Sequence, residues 1–255
     1  MIKKIQILAA LVIATTLGAG EINYVGSSTV GKFIIDAQKV YKTSTFKINT
    51  NPESSGGENA VAAKKIALGG VARDVKESIL KRGVEKVLIG KDAIGIWVHS
   101  TNSVEKLSSA QLKDIFTGKI TNWKTVGGKD ADINVYIVNK NSATRKVFQK
   151  VILNGAKYKG KNIRTVKPDP KILEKVRNDK NGIGQLSFAF GIGAKDVKKI
   201  AVNGQEASVQ NSSYPITRPL YLITNGAPTG DVKAFIEWSL SPDGQSIVKK
   251  YFVGK

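Results

Sequence analysis

Hydroxyl side chains and glycines lie together at residues 53–57 (Glu-Ser-Ser-Gly-Gly), a combination that could bind an anion. The start of a helix leaves backbone N–H groups without intrahelical partners, and small residues let an anion approach them closely. The same residues also suit an ordinary helix cap followed by a glycine turn, which is common in proteins that bind nothing. This stretch by itself leaves both interpretations open.

Two further segments have a similar composition and setting. Residues 26–29 (Gly-Ser-Ser-Thr) and 139–144 (Asn-Lys-Asn-Ser-Ala-Thr) each follow a short apolar run and precede an amphipathic stretch. Neutral donors at three helix N-termini can stabilise a dehydrated oxyanion without requiring a cation in contact with it. The repetition therefore favours an anion site.

The elements that must position these loops alternate between strands and helices. Capping-box residues at Ser108 and Gln111 predict a helix that Gly118 ends, and the helix after residues 53–57 is predicted to start at about residue 58. Alternation of this kind predicts an α/β fold with mainly parallel sheets, in which ligands bind beyond the carboxyl ends of the strands. Strands are predicted at residues 22–25, 46–48, 69–72, 84–89, 93–99, 133–138 and 182–190.

Length and composition exclude several kinds of site. The 255 residues suffice for one large domain or two lobes, and there are no cysteines, so disulfides, thiolate metal sites and a cysteine nucleophile are excluded. The single histidine, His99, excludes a histidine-rich metal site. His99 continues a buried-strand pattern, which favours a packing role over a catalytic one.

The formal net charge of +20 is compatible with several anionic partners. The basic residues are spread along the chain and aromatic residues make up only 7%, which argues against a nucleic-acid stacking platform. Residues 1–20 place Lys3 and Lys4 before an apolar run and small residues, the layout of a cleaved signal peptide. We therefore expect an exported, periplasmic protein, not lipid-anchored because it has no cysteine.

Residues 107–123 (LSSAQLKDIFTGKITNW) carry the strongest family signal. Together with residues 26–29, 53–57, 142–145 and 181–184, they make the chain resemble the phosphate-binding proteins of ABC-type phosphate importers. The similarity extends over about residues 22–253. The run from Asp114 to Trp123 is highly specific, whereas each serine loop is informative only in this order.

The resemblance implies a two-lobed periplasmic binding protein of type II, in which each lobe is a mainly parallel sheet flanked by helices. Residues 21–97 and 212–255 would form lobe one, and residues 98–211 lobe two. The lobes would close over inorganic phosphate by a hinge motion and deliver it to an ABC permease in the inner membrane. The resemblance further implies a monomer that is not an enzyme, uses no cofactor or metal, and binds no nucleic acid.

The resemblance also implies the residues that contact the anion, two sets on lobe one and one across the cleft on lobe two. Arg73 could add a bidentate clamp, or it could serve lobe packing. The predicted contacts are Thr29 and the backbone of Val30; Ser54 with the N–H groups of Ser55, Gly56 and Gly57; and Ser142, Ala143 and Thr144.

Two departures from the family pattern leave the selectivity of the site open. Ala143 replaces the usual glycine, and Val138 stands where relatives usually have an arginine, so Lys140, Arg145 or neither could supply a cation. Arg73 stands where some relatives have an aspartate that accepts the proton of hydrogen phosphate. Sulfate or molybdate therefore remains an alternative ligand. A phosphate-ester hydrolase with Ser54 or Ser142 as nucleophile is a weaker alternative, because the sequence offers no clear base or metal cluster.

Overall fold

The computed structural model describes residues 20–208 and 210–254. The predicted signal peptide lies outside these residues except for Gly20, which begins the first strand. None of the helices in the described ranges is long and apolar enough to span a membrane.

Strands and helices alternate along the described chain, as the sequence predicts. The strands are β1 (Gly20–Gly26), β2 (Ser44–Asn49), β3 (Leu68–Val71), β4 (Val84–His99), β5 (Lys106–Leu107), β6 (Asn134–Val138), β7 (Ile163–Val166), β8 (Gly182–Ser187), β9 (Val197–Val202), β10 (Thr217–Asn225) and β11 (Val253–Gly254). The helices are α1 (Ser28–Ala37), α2 (Glu53–Ala62), α3 (Glu77–Leu80), α4 (Ser109–Phe116), α5 (Ala143–Val151), α6 (Lys171–Arg177), α7 (Phe188–Gly191), α8 (Gly230–Leu240) and α9 (Pro242–Val248), with a 3₁₀ turn at Trp123–Val126.

Two sets of parallel strands form the two lobes of an α/β fold. Strands β2, β1 and β3 are parallel neighbours in the first lobe, and β7, β6 and β8 are parallel neighbours in the second. Strands β10 and β4 join the sets, giving the order β2-β1-β3-β10-β4-β8-β6-β7. The exact division at residues 97/98 and 211/212 stays a prediction.

Strand β4 is continuous, so the prediction of two strands separated at residues 90–92 was wrong. Its first part pairs with β10 and its second part, from Ile94, pairs with β8. Gly90 does not form a turn. It lets β11 approach β4 closely, because a Cβ at this position would lie 2.7 Å from the Val253 carbonyl oxygen. The unbroken strand carries the chain directly from one lobe to the other.

Helix α2 begins at Glu53, so the prediction of a loop at residues 53–57 and a helix from residue 58 was also wrong. Glu53 itself has a left-handed backbone (φ 57°), which is uncommon for a residue other than glycine. A Cβ on Gly57 would lie 2.7 Å from the Val25 carbonyl oxygen. The glycine therefore lets α2 pack closely against β1.

Each lobe has its own apolar core. Tyr24, Phe33 and Phe235 belong to the core of the first lobe. Phe116 and Trp123 are buried in the core of the second lobe, and the Trp123 indole N–H donates to the Asn181 carbonyl at 3.0 Å. Val30 of α1 packs in the first of these cores and Phe148 of α5 in the second.

The predicted capping box of α4 is confirmed. The Ser108 hydroxyl accepts from the Gln111 N–H at 3.1 Å, and the Gln111 side chain accepts from the Ser108 N–H at 2.8 Å. Gly118 follows the helix with φ 76°, a conformation that favours glycine.

We expect Ser108→Ala to lower the free energy of unfolding by about 1 kcal/mol, because one helix N–H loses its acceptor. Urea denaturation of this variant beside Ser103→Ala, which changes an exposed serine in the preceding loop, measures the effect. Equal stabilities of the two variants would contradict the capping role.

Candidate functional site

The structure brings the N-terminal ends of α1, α2 and α5 together between the lobes. The Ser55 N–H of α2 donates to the Asn141 carbonyl, just before α5, at 3.3 Å. The Lys146 ammonium of α5 donates to the Ser55 hydroxyl at 2.6 Å. The segments that contain the predicted cleft residues of the two lobes are therefore in contact, and the lobes are closed on each other.

Arg218 on β10 is buried at this junction and contacts both lobes. Its Nη1 donates to Thr144 Oγ1 and its Nη2 donates to Thr29 Oγ1, both at 2.9 Å. Its Nε donates to Asp92 Oδ2 at 2.9 Å, and Asp92 Oδ1 accepts from the Ser187 hydroxyl at 2.7 Å. One guanidinium thus joins a hydroxyl of each lobe while a carboxylate on β4 balances its charge.

The sequence reasoning missed Arg218. Of the two cations expected in place of the family's arginine at Val138, Lys140 is exposed, and Arg145 donates to the Val138 carbonyl at 3.1 Å with its guanidinium over the Tyr158 ring. Neither is the cation that contacts Thr29 and Thr144. A usable signal was present, because Arg218 is the one charged residue of β10, whose residues Leu220, Leu222 and Ile223 are fully buried.

Two carboxylates, Glu53 and Asp169, also lie at the junction and are 1% and 2% exposed. Glu53 Oε2 accepts from the N–H and the hydroxyl of Ser28, at 3.3 and 3.4 Å. Asp169 Oδ2 accepts from the Ser142 hydroxyl at 2.5 Å. The two side chains lie within hydrogen-bonding reach of each other, one from each lobe.

Burial and mutual repulsion disfavour two negative charges at this pair. Burial, then the charge of Asp169, raise the pKa of Glu53 to about 9. Burial also raises the pKa of Asp169, although hydrogen bonds from Ser142 and the charge of Arg218 favour its ionised form. Burial and mutual repulsion therefore disfavour the state in which both carboxyl groups are ionised.

Side chains of the protein satisfy several of the helix N–H groups. Ser27 Oγ accepts from the N–H groups of Thr29 and Val30, at 3.1 and 3.4 Å. Ser142 Oγ accepts from the Thr144 N–H at 3.1 Å. Ser54 Oγ accepts from the Ala72 N–H at 3.2 Å and so ties α2 to the end of β3. These hydrogen bonds fix the polar residues at the starts of the three helices, which lie close together at the junction.

Comparison with known proteins places this architecture in a family. Residues 13–243 match the model of the PBP superfamily domain. This chain belongs to the PBP superfamily. Within it, a solved Clostridium perfringens protein, described as a substrate-binding protein of a phosphate ABC transporter with bound phosphate, is 31% identical, with a TM-score of 0.85, over 92% of this chain and 100% of that chain.

Curated members of the family are also similar. The phosphate-binding protein PstS of Staphylococcus saprophyticus is 26% identical over 92% of this chain and 81% of its own length. PstS of Bacillus subtilis is 27% identical over 90% of this chain and 78% of its own length. The resemblance to the phosphate-binding proteins of ABC-type importers is thus confirmed, and with it the two-lobed type II fold.

The other residues that the family resemblance implies as ligand contacts lie around the same junction. Arg73 makes its bidentate contact with Glu58, at 2.6 and 2.7 Å, and reaches Ser55 Oγ at 3.4 Å. Gly56 and Gly57 lie in the first turns of α2, and Ala143 begins α5. Their roles as ligand contacts stay predictions.

His99 lies away from this constellation. Its Nδ1 is 2.8 Å from Thr101 Oγ1 at the end of β4. Seven residues of strand separate it from Asp92, a distance of roughly 23 Å. It is therefore too far away to serve as a base for Ser54 or Ser142.

We expect Arg218→Met to lower the free energy of unfolding by about 3–5 kcal/mol, because it leaves the buried Asp92 carboxylate without its cation. The matched control is Lys233→Met, which removes an exposed cation 3.8 Å from Glu237 and should change stability by less than about 0.5 kcal/mol. Urea denaturation measures the free energy of unfolding of both variants. The double variant Arg218→Met/Asp92→Asn should recover part of the stability that Arg218→Met loses. Equal effects of the two single variants would contradict the role of the buried pair.

The stability of the protein should also depend on pH through Glu53. Because its folded pKa of about 9 exceeds the ordinary value of 4.5, the folded protein holds a proton that the unfolded chain releases. This stabilisation is complete at low pH and is lost as the pH rises towards 9. Thermal unfolding between about pH 6 and 9 should show a steeper decline for the wild type and Glu77→Gln, an exposed control, than for Glu53→Gln. Identical slopes in all three proteins would rule out the raised pKa.

Proposed function

We propose that this protein captures inorganic phosphate between its lobes and delivers it to an ABC importer. The observation that carries the proposal is the contact of one buried guanidinium, that of Arg218, with Thr29 of one lobe and Thr144 of the other. Membership of a family that includes phosphate-binding importer proteins supports the same ligand.

The charges at the junction suit binding by hydrogen bonds. Asp92 balances the guanidinium of Arg218 at 2.8 Å, so the pair brings no net charge to the ligand. Hydroxyls of Thr29, Ser142 and Thr144 can rotate to donate to an oxyanion, and the helix N-termini favour negative charge. Phosphate would take over contacts that the lobes now make with each other. Binding and closure would therefore stabilise each other.

Release requires the lobes to separate. Strand β4 runs between them and the chain returns just before β10, so a change in backbone angles at these two crossings would open the cleft as a hinge. We infer that the protein works outside the cytoplasmic membrane as a monomer and that its partner is a membrane permease. The predicted leader at residues 1–20 supports export. Arg73, Val30, Ser54, Ser55, Gly56, Gly57 and Ala143 remain proposed contacts beside Thr29, Ser142 and Thr144.

Titration calorimetry of the protein without residues 1–20 should give one bound phosphate per chain, with weaker or no binding of sulfate and molybdate. Thr29→Val and Thr144→Val should each weaken phosphate binding by about 10-fold or more, because each removes a hydrogen bond to a charged group. Thr45→Val, an exposed β2 position, is the matched control and should bind normally.

Two results would contradict this function. Calorimetry that gives no heat with phosphate would exclude phosphate as the ligand. Turnover of a chromogenic phosphate ester that disappears in Ser54→Ala or Ser142→Ala would instead indicate the hydrolase.

A further inference from the structure

The family-specific run from Asp114 to Trp123 lines a cavity of about 680 Å³ on the second lobe. Its opposite wall is the loop of residues 159–162, just before β7. The Lys159 N–H donates to the Phe116 carbonyl at 3.3 Å, and a Cβ on Gly118 would lie 2.5 Å from the Lys159 carbonyl oxygen. The two walls are therefore joined by close backbone contact, which sets the shape of the cavity.

Positive charge dominates the lining of this cavity. Asp132 is the one acidic residue among the described residues that line it, whereas four are basic: Lys119, Lys159, Lys161 and Arg164. Of these four, only Lys119 forms an ion pair within the described chain, with Asp114 at 3.4 Å. Unpaired charges of one sign around a concave surface attract a partner of the opposite sign. The lining therefore suits a partner that presents several negative charges.

The excess of positive charge extends beyond the cavity. Residues 133–168, from β6 through α5 to β7, contain nine lysines and arginines and no aspartate or glutamate. Seven of the nine are exposed. None of them forms an ion pair with an acid of the described chain, although ten other lysines and arginines in it do. Lys157 of this segment and the four cations of the cavity are called the basic face below.

The basic face and the phosphate cleft lie at opposite ends of the second lobe. The cavity is at the amino ends of β6 and β7, where Asn134 and Asn162 line it. Ser142, which contributes to the cleft, follows the carboxyl end of β6. The five residues of β6 separate the two ends by roughly 16 Å. A partner on the basic face would therefore leave the cleft open to phosphate.

We propose that the basic face docks on anionic phospholipid headgroups and holds the protein reversibly at the surface of a membrane. Such a surface presents many phosphodiester charges in one plane, and each lysine or arginine beside it adds to the attraction. None of the described residues that line the cavity is aromatic, so the cavity offers no ring on which a nucleic-acid base could stack. The inference rests on the proposed export, and it does not depend on which anion the cleft binds.

Sedimentation with lipid vesicles tests this docking. Residues 1–20 are removed, because an apolar leader would itself bind lipid. The protein should sediment at low ionic strength with vesicles of equal parts phosphatidylglycerol and phosphatidylcholine, and little of it with phosphatidylcholine alone. About 0.5 M salt should release it, because salt at this concentration screens charges beyond a few ångströms. Lack of binding to the anionic vesicles would overturn the proposal.

A triple variant locates the binding on the basic face. Lys159→Gln/Lys161→Gln/Arg164→Gln removes the three cations of the cavity that form no ion pair in the described chain. Its affinity for the anionic vesicles should fall by about 100-fold, since each basic residue near such a surface contributes a factor of about five. Its phosphate affinity, measured by titration calorimetry, should stay at the wild-type value and so show that the variant is folded.

The matched control removes the same charge from the first lobe. Lys47→Gln/Lys65→Gln/Lys81→Gln changes three exposed lysines and should keep most of the binding to anionic vesicles. An equal loss in both triple variants would show that net charge alone drives the binding and would overturn the basic face as the site.

Two competitors distinguish the lipid headgroup from other phosphates. Inorganic phosphate at about 1 mM and constant ionic strength should leave vesicle binding unchanged. Release by it would overturn the proposal and assign the cavity to the free ion. Binding of duplex DNA that the cavity variant loses, without vesicle binding by the wild type, would overturn it in favour of nucleic acid. Absence of phosphate binding by the wild type would instead contradict the proposed function and leave the docking intact.

Discussion

The buried ion pair of Arg218 and Asp92 is the interaction on which the junction between the lobes depends. Removing two charges from water is costly, and the structure offsets this cost by giving the guanidinium and the carboxylate nearly full sets of partners. Those partners come from both lobes: Thr29 from the first, and Thr144 and Ser187 from the second. Because these partners belong to both lobes, the ion pair contributes both to the stability of the fold and to the contact between the lobes.

The same constraint shapes the chemistry of the cleft. Asp92 compensates the charge of Arg218, so the pair brings no net charge to the junction. Hydroxyls at the starts of α1 and α5 contact the guanidinium there. The carboxyl groups of Glu53 and Asp169 lie at the same junction, each held by a serine of its own lobe.

Local sequence signals predicted those elements whose ends are set by local chemistry. The capping box of α4 at Ser108 and the strand–helix alternation are of this kind. The boundaries that failed were set by distant contacts: Gly90 accommodates the backbone of β11, and Gly57 accommodates β1. In both places a glycine resembled a turn or loop signal, whereas its actual role is to allow another segment of chain to come close.

The α/β class, the family and the three hydroxyl-bearing segments could all be predicted from the sequence, because each depends on residues close together in the chain. The sequence also placed Thr29, Ser142 and Thr144 at helix starts. Which charged groups contact these residues could be seen only in the folded structure. Arg218 reaches Thr29 across 189 positions, and Glu53 meets Asp169 from the opposite lobe. No periodicity or spacing encodes such a meeting, because it depends on how β4 and β10 join the two lobes.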